Sequence, residues 1–136
     1  MVVLDTNIVL DLLVFDDLAA RPLKDQLEAG TLQWLATQAM RDELQRVLAY
    51  PQIVPRLAFY QTSAEQVLAQ FDRLAQRREA APKARLTCSD PDDQKFIDLA
   101  VTCQATLLSK DRAILCMAKR LVSQGVRAQS AIDVIA

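Results

Sequence analysis

The chain has 136 residues, 51% of them hydrophobic, and its 16 basic and 17 acidic side chains give a net charge of −1. This size predicts a single domain over residues 1–136, with room for one core. The sequence has no histidine, which excludes triads with a histidine base and every histidine-containing zinc site. Its two glycines, Gly30 and Gly125, lie too far apart for a phosphate-binding loop or a dinucleotide fingerprint.

The three cysteines, Cys88, Cys103 and Cys116, are widely spaced and fit neither a thiolate metal site nor a disulfide framework. The sequence also shows no signal peptide and no apolar run of membrane-spanning length, so we expect a cytoplasmic protein without a membrane segment. Any catalytic chemistry must therefore come mainly from carboxylates, which favour a divalent metal.

The spacing of apolar residues predicts strands that alternate with helices. In chain order the first predicted elements are a strand at 2–4, helices at 7–14 and 17–28, and a strand at 32–36. Helices follow from 37 to about 50 and from 63 to 75, and then a loop at 80–90 with a short strand at 85–87. The last predicted elements are a helix at 91–104, a strand at 106–109, a helix at 111–124, a strand near 126 and a short helix after 130. Gly30 and Gly125 are predicted helix stops. This order predicts an α/β fold with a mostly parallel sheet covered by helices.

Two acidic residues follow predicted strands. Asp5 comes directly after Val-Val-Leu, and Asp111 follows Leu-Leu-Ser-Lys. Open parallel sheets bind ligands beyond the carboxyl ends of their strands. Helix capping would explain either acid alone, but two acids at equivalent places in one sheet favour a shared site.

Helical phase selects two further acids. At 100° per residue, Asp93 lies about 30° from the centre of the apolar face of its helix, whereas Asp98 is nearly opposite. Asp92 is intermediate and stays a candidate. On the helix predicted from residue 37, Glu43 borders the apolar face and Asp42 points away. Alternatively, Asp93 is an acid of the first helical turn that favours the helix dipole, and Glu43 is an ordinary boundary residue.

Four acids could therefore converge on one site: Asp5, Glu43, Asp93 and Asp111. Clustered carboxylates repel one another and call for a cation, and hard oxygen ligands suit Mg²⁺ or Mn²⁺. Such ions activate water for attack on a phosphodiester, a reaction that needs no histidine. Thr6, Asn7 and Ser109 lie beside the acids and could hold carboxylates, water or a phosphate oxygen, although capping and turn formation would equally explain them.

Four segments of the sequence carry a family resemblance. They are the opening Val-Val-Leu-Asp-Thr-Asn, the run Arg-Asp-Glu-Leu-Gln-Arg-Val-Leu at 41–48, the run Asp-Pro-Asp-Asp-Gln-Lys-Phe-Ile-Asp-Leu-Ala at 90–100, and Thr-Leu-Leu-Ser-Lys-Asp at 106–111. In order and spacing they resemble the PIN-domain family, specifically its toxin-like ribonuclease branch of toxin–antitoxin pairs. The resemblance spans essentially the whole chain.

This resemblance implies a three-layer α/β/α sandwich and an endoribonuclease that depends on Mg²⁺ or Mn²⁺. The family's acidic quartet, which provides metal ligands and catalytic residues, maps onto four positions: Asp5, Glu43, Asp93 and Asp111. Relatives often carry another acid two residues after the last of these, where this chain has Ala113. That departure removes a possible ligand for tight or two-metal binding. The resemblance also implies an antitoxin protein as partner and a homodimer.

Charge is unevenly distributed along the chain. Residues 73–87 carry five basic side chains against one glutamate, and residues 88–98 carry four aspartates against one lysine. A basic segment beside an acidic site would guide an RNA backbone, although a solvated surface explains the basic segment equally well. Four cations are candidate substrate contacts: Lys83, Arg85, Lys110 and Arg112.

Aromatic residues number only seven. We therefore expect recognition of the RNA backbone or shape more than of many bases. Core packing is the expected role of Trp34. The apolar segment 53–60 could form a flap or a dimer surface.

Two other functions remain open at this point. One is a non-catalytic PIN-like module that binds RNA or a protein. The other is a phosphatase similar to the haloacid dehalogenases with Asp5 as nucleophile. That class has a second acid two residues later, where this chain has Asn7.

Overall fold

The computed structural model describes residues 1–132 and contains one sheet of five strands. The strands are β1 (Val2–Leu4), β2 (Trp34–Ala36), β3 (Ala75–Arg77), β4 (Thr106–Leu108) and β5 (Ala128–Gln129). The helices are α1 (Thr6–Leu13), α2 (Arg21–Ala29), α3 (Gln38–Leu48), α4 (Val54–Phe59), α5 (Ala64–Leu74), α6 (Gln94–Cys103), α7 (Arg112–Leu115) and α8 (Ala118–Val122). Two 3₁₀ turns, Leu18–Ala20 and Pro91–Asp93, precede α2 and α6.

The sheet is parallel throughout and has the order β3-β2-β1-β4-β5. Strands β2 and β3 lie in order on one side of β1, and β4 and β5 lie in order on its other side. Because crossovers between parallel strands are right-handed, this reversal of strand order places the helices before β3 on one face and those after it on the other. Helices α1, α3 and α5 contact one another, whereas α6 packs on β1 and β4. The predicted α/β fold with helices flanking a parallel sheet is confirmed.

The inner strands consist of apolar residues because helices cover both faces of the sheet. Every residue of β1 and β2 is buried. Trp34, on β2, is 1% exposed and meets the ring of Phe71 edge to face, with 4.9 Å between the ring centroids. The predicted core position of Trp34 is therefore confirmed. Within residues 1–132 no helix has the length and hydropathy that a bilayer crossing requires.

The strand predicted at 85–87 is wrong. The third strand is instead β3, which follows α5 directly and pairs with β2 through Trp34↔Ala75 and Ala36↔Arg77. As an edge strand with the exposed sequence Ala-Gln-Arg, β3 has no apolar run by which sequence periodicity could detect it. The loop after β3 is held by side chains of α6: Asp98 accepts from the Ala84 amide at 2.8 Å.

Two predicted helices differ in their details. The helix predicted at 111–124 is split into α7 and α8. The amide of the buried Met117 donates a hydrogen bond to the Ile114 carbonyl, three residues earlier, and this tighter turn interrupts the α-helix. The helix predicted at 17–28 begins as a 3₁₀ turn. Gly30 and Gly125 end helices with φ of 75° and 78°, as predicted. The strand predicted near 126 is β5, and the helix predicted after 130 lies mostly outside the described residues.

Candidate active site

The candidate site lies where the strand order reverses, between β1 and β4. Such switch points leave a crevice beyond the carboxyl ends of the two strands. Asp5 directly follows β1, and its amide donates to the Leu108 carbonyl at the end of β4 at 2.9 Å. Ser109 and Asp111 follow β4. The topology thus brings residues from the two ends of the sequence to one edge of the sheet.

Three carboxylates meet in this crevice. One oxygen from each of Asp5, Asp93 and Asp111 lies within 4.8 Å of the others. Asp93 arrives from the opposite side, at the end of the 3₁₀ turn that precedes α6. Asp5 is 4% exposed and Asp93 is 6% exposed, whereas Asp111 is half-buried. We refer to these three residues as the carboxylate triad.

The triad opens into a cleft of about 320 Å³, which we call the acidic cleft. Besides the triad, residues from α1, α3 and the segments beside them line this cleft, among them Thr6, Asn7, Glu43, Tyr50, Ile53, Asp90 and Asp92. The acidic cleft is therefore lined by six carboxylates. A site of this charge repels an RNA backbone unless cations neutralise it.

Ser109 links two members of the triad. It is fully buried, and its hydroxyl donates to Oδ2 of Asp5 at 2.7 Å while accepting from the amide of Asp111 at 2.9 Å. Asp5 stands at the N-cap position of α1, but its side chain makes no capping bond. Capping therefore does not explain Asp5. Asp111 does cap α7, because its Oδ1 accepts from the Ala113 amide at 2.9 Å.

Burial changes the acidity of the triad. It raises the pKa of Asp93 to about 8, and the hydrogen bond with Asp111 and the negative charge of Asp5 act in the same direction. Burial also raises the pKa of Asp5, opposed by the hydrogen bonds from Ser109 and the Thr6 backbone. The Oδ2 atom of Asp93 is buried without a hydrogen-bond partner. A buried carboxylate oxygen without a hydrogen-bond partner is unfavourable unless it is protonated or binds a cation.

Glu43 lies outside the triad on the wall of the acidic cleft. Its Oε1 accepts from Lys95 Nζ at 2.9 Å, and its Oε2 accepts a short hydrogen bond from the Thr6 hydroxyl. Lys95 also donates to the carbonyl of Asp92. The sequence analysis missed Lys95, because its only signal is one positive charge within a run of aspartates. Asn7 is exposed at the edge of the same cleft.

The four basic candidates lie outside the lining of the acidic cleft. Lys110 forms an ion pair with the buried Asp11, and Arg112 is exposed at the first position of α7. Lys83 donates to the hydroxyl of Thr87 at 2.8 Å, and Arg85 is exposed on the same loop. Part of the positive charge in the preceding segment is compensated, since Arg73 pairs with Glu28 and Arg77 pairs with Asp72.

The triad fits a divalent cation. It offers one carboxylate oxygen from each of three separate segments, and Oδ2 of Asp93 is buried without a hydrogen-bond partner. All-oxygen sites of this kind suit Mg²⁺ and Mn²⁺. Asp5, Asp93 and Asp111 would hold the ion.

Comparison with protein families identifies the chain. The family model described as the PIN domain matches residues 1–113, which include the triad, Glu43 and Ser109 but not α8 or β5. PIN domains are generally nucleases and typically use divalent metals. No curated protein matches the chain. Because the family model covers most of the sequence, the chain belongs to the PIN-domain family.

Proposed function

We propose that this protein is an endoribonuclease that hydrolyses RNA phosphodiester bonds at the carboxylate triad with the help of Mg²⁺ or Mn²⁺. The observation that carries the proposal is the convergence of Asp5, Asp93 and Asp111 at the switch point, with one buried oxygen of Asp93 unpartnered. When bound, the metal ion would lower the pKa of water and stabilise charge on the phosphate oxygens.

The chain's own residues have distinct tasks in this proposal. Ser109 fixes the orientation of Asp5 and leaves its second oxygen for a ligand. Asp111 is fixed by the bond from its Oδ1 to the Ala113 amide. Asp93, whose pKa burial raises to about 8, would give up its proton when a cation binds, because the proton and the cation compete for the same carboxylate. Glu43 lies near enough to Asp5 to raise the pKa of that residue, and we assign it to accept a proton from the attacking water.

The test is cleavage of mixed cellular RNA by purified protein with Mn²⁺ or Mg²⁺, with and without a chelator. We expect Asp5→Asn and Asp93→Asn to lose at least ~100-fold in rate, because removal of even outer-shell partners of a metal costs 10–100-fold. The matched control is Asp42→Asn, an exposed acid of α3 next to Glu43. Cleavage by the Asp5 and Asp93 variants at the wild-type rate would show that the assignment is wrong.

We further infer from the family resemblance that the protein is the toxin of a toxin–antitoxin pair, active in the cytoplasm as a homodimer. Growth arrest on expression, relieved by the product of a small adjacent gene, would support this setting. The alternative is a non-catalytic module that binds RNA or a protein. The absence of Mn²⁺ binding at millimolar concentration in calorimetry would favour that alternative.

A further inference from the structure

The aromatic residues divide into two groups by burial. Trp34, Phe71 and Phe96 belong to the core. Of the other four aromatic residues, Tyr50 lines the acidic cleft, Phe15 and Tyr60 line a second cavity, and Phe59 packs against Tyr60. Phe59 is 78% exposed, the largest exposure of any large hydrophobic side chain within residues 1–132. Exposed aromatic side chains of this kind are typical of a surface that binds a substrate or a partner.

The second cavity, of about 460 Å³, shares no lining residue with the acidic cleft but borders the same segments of the chain. It is lined by six residues: Asp11, Phe15, Asp17, Arg56, Tyr60 and Lys110. Two pairs of sequence neighbours line the two cavities. Leu10 and Asp111 line the acidic cleft, whereas Asp11, which follows Leu10, and Lys110, which precedes Asp111, line the second cavity. Near α4, Ile53 before the helix lines the cleft and Arg56 within the helix lines the second cavity. Three residues of helix rise only about 4.5 Å, so lining residues of the two cavities lie close together here.

In the second cavity a guanidinium group and a second aromatic ring lie against Phe15. The guanidinium carbon of Arg56 lies 3.8 Å from the ring centroid of Phe15. The ring of Tyr60 lies 5.9 Å from that of Phe15, tilted by 48°, and Phe59 meets Tyr60 edge to face at 5.0 Å. We call Phe15, Arg56 and Tyr60 the stacking site. Planar guanidinium and aromatic groups are the side chains on which unpaired bases stack.

The charged residues that line the second cavity are two cations, Arg56 and Lys110, and two aspartates, Asp11 and Asp17. Arg56 has no carboxylate partner among residues 1–132, so its positive charge is free to contact a phosphate. Lys110 is already paired with Asp11, and Asp17 accepts from the Ala19 amide. One free cation over an aromatic ring does not make a strong phosphate site. It does suit a base that stacks while its own phosphate contacts Arg56.

We propose that the stacking site binds an unpaired base of single-stranded RNA, within one or two nucleotides of the bond placed in the acidic cleft. This proposal rests on the proposed ribonuclease function and assigns a subsite for its substrate to Phe15, Arg56 and Tyr60. A base held in a duplex cannot present its face to Tyr60 and Arg56, so the site selects single-stranded over double-stranded RNA. The low aromatic content predicts recognition of the RNA backbone or shape more than of many bases. The proposal refines this prediction, because the few aromatic residues outside the core are enough to stack one base.

The test measures RNA binding separately from RNA cleavage. In an Asp93→Asn background with Mg²⁺, a short single-stranded RNA containing 2-aminopurine is titrated with protein, and anisotropy and 2-aminopurine fluorescence are recorded. We expect quenching of the fluorescence, since stacking quenches this base. We expect Tyr60→Leu and Arg56→Gln each to weaken binding about tenfold, because one stacked base contributes on that scale.

Two variants act as controls. Tyr60→Phe keeps the aromatic face and should bind within about twofold of the parent. Phe59→Leu changes a neighbouring exposed aromatic residue that lies outside the second cavity, and should also leave RNA affinity unchanged. Thermal unfolding of each variant verifies that the chain is folded. An RNA with abasic positions should bind the parent as weakly as complete RNA binds Tyr60→Leu.

Several outcomes would overturn the proposal. The first is that Tyr60→Leu binds RNA as tightly as the parent does. The second is that the parent binds complete and abasic RNA with equal affinity. If Tyr60→Leu and Phe59→Leu instead lower the molar mass in light scattering and leave RNA binding unchanged, the surface joins two copies of this chain. Binding that depends on Tyr60 without any cleavage by the wild type would refute the nuclease function and support the stacking site.

Discussion

Lys95 Nζ lies 2.9 Å from Oε1 of Glu43, across 52 positions of sequence and on the wall of the acidic cleft. The two side chains are 23% and 17% exposed, so water screens their attraction only in part. Lys95 also lies over the ring of Phe96, 4.8 Å from its centroid. One of the four acids predicted from the sequence is therefore neutralised by the chain itself, and three are left to a metal ion.

This ion pair predicts the number of metal ions bound. We expect wild-type protein to bind one Mn²⁺ per chain in isothermal titration calorimetry. Lys95→Gln leaves the charge of Glu43 uncompensated, so we expect it to bind a second, weaker ion at the cleft. Lys119→Gln, an exposed lysine of α8, is the matched control. Identical stoichiometry and affinity in wild type and Lys95→Gln would contradict the prediction.

The raised pKa of Asp93 predicts how stability depends on pH without metal. Its pKa is about 8 in the folded protein and about 4 in the unfolded chain, so between these values the folded state binds more protons. The free energy of unfolding should therefore decrease as pH rises from about 4 to about 8. Burial raises the pKa of Asp5 as well, which acts in the same direction.

Melting temperatures of the chelator-treated protein across this pH range provide the measurement. Asp93→Asn should flatten the dependence, because the asparagine does not titrate. Mn²⁺ should raise the melting temperature more at about pH 8 than at about pH 5, since protons compete with the metal for the same oxygens. A melting temperature of metal-free protein that rises across the range would refute the account.

Ser109 should couple stability to metal affinity. Ser109→Ala removes the hydroxyl that donates to Asp5 and accepts from the Asp111 amide, so the buried Asp5 carboxylate and the half-buried Asp111 residue each lose a hydrogen bond. We expect a loss of about 1–3 kcal/mol in the free energy of unfolding by urea. Manganese affinity should fall about 10–100-fold, because Asp5 is no longer oriented. Ser123→Ala, at an exposed serine, should change neither quantity. Lower stability with unchanged metal affinity would mean that Ser109 is only a packing residue.

Asp98 should hold the loop after β3. Its Oδ1 accepts from the Ala84 amide and from Gln94 Nε2, both at 2.8 Å. Asp98→Ala should therefore speed amide hydrogen exchange within residues 80–89 and leave Mn²⁺ affinity unchanged, because Asp98 lies outside the acidic cleft. Asp25→Ala on α2 serves as the control. Unchanged exchange in the loop would show that other contacts hold it.

The sequence alone located the carboxylate triad but not the contacts around it. Asp5 and Asp111 follow apolar strands, and Asp93 shares a helix face with buried residues, so local periodicity places all three near one crevice. Glu43 also lies at this crevice, but its pairing with Lys95 depends on how α3 and α6 are arranged, which local periodicity does not reveal. The edge strand β3 was missed because its exposed Ala-Gln-Arg sequence lacks the alternation that marks a half-buried strand.

The central position of β1 has a consequence during protein synthesis. Asp5 leaves the ribosome before its partners Asp93 and Asp111, which belong to segments made much later. Domains fold as their chain emerges, and β1 gains its neighbour β4 only after residue 108 has been added. A nascent chain shorter than this has no carboxylate triad. The order of the strands thus delays the assembly of the carboxylate triad until β4 and Asp111 have been made.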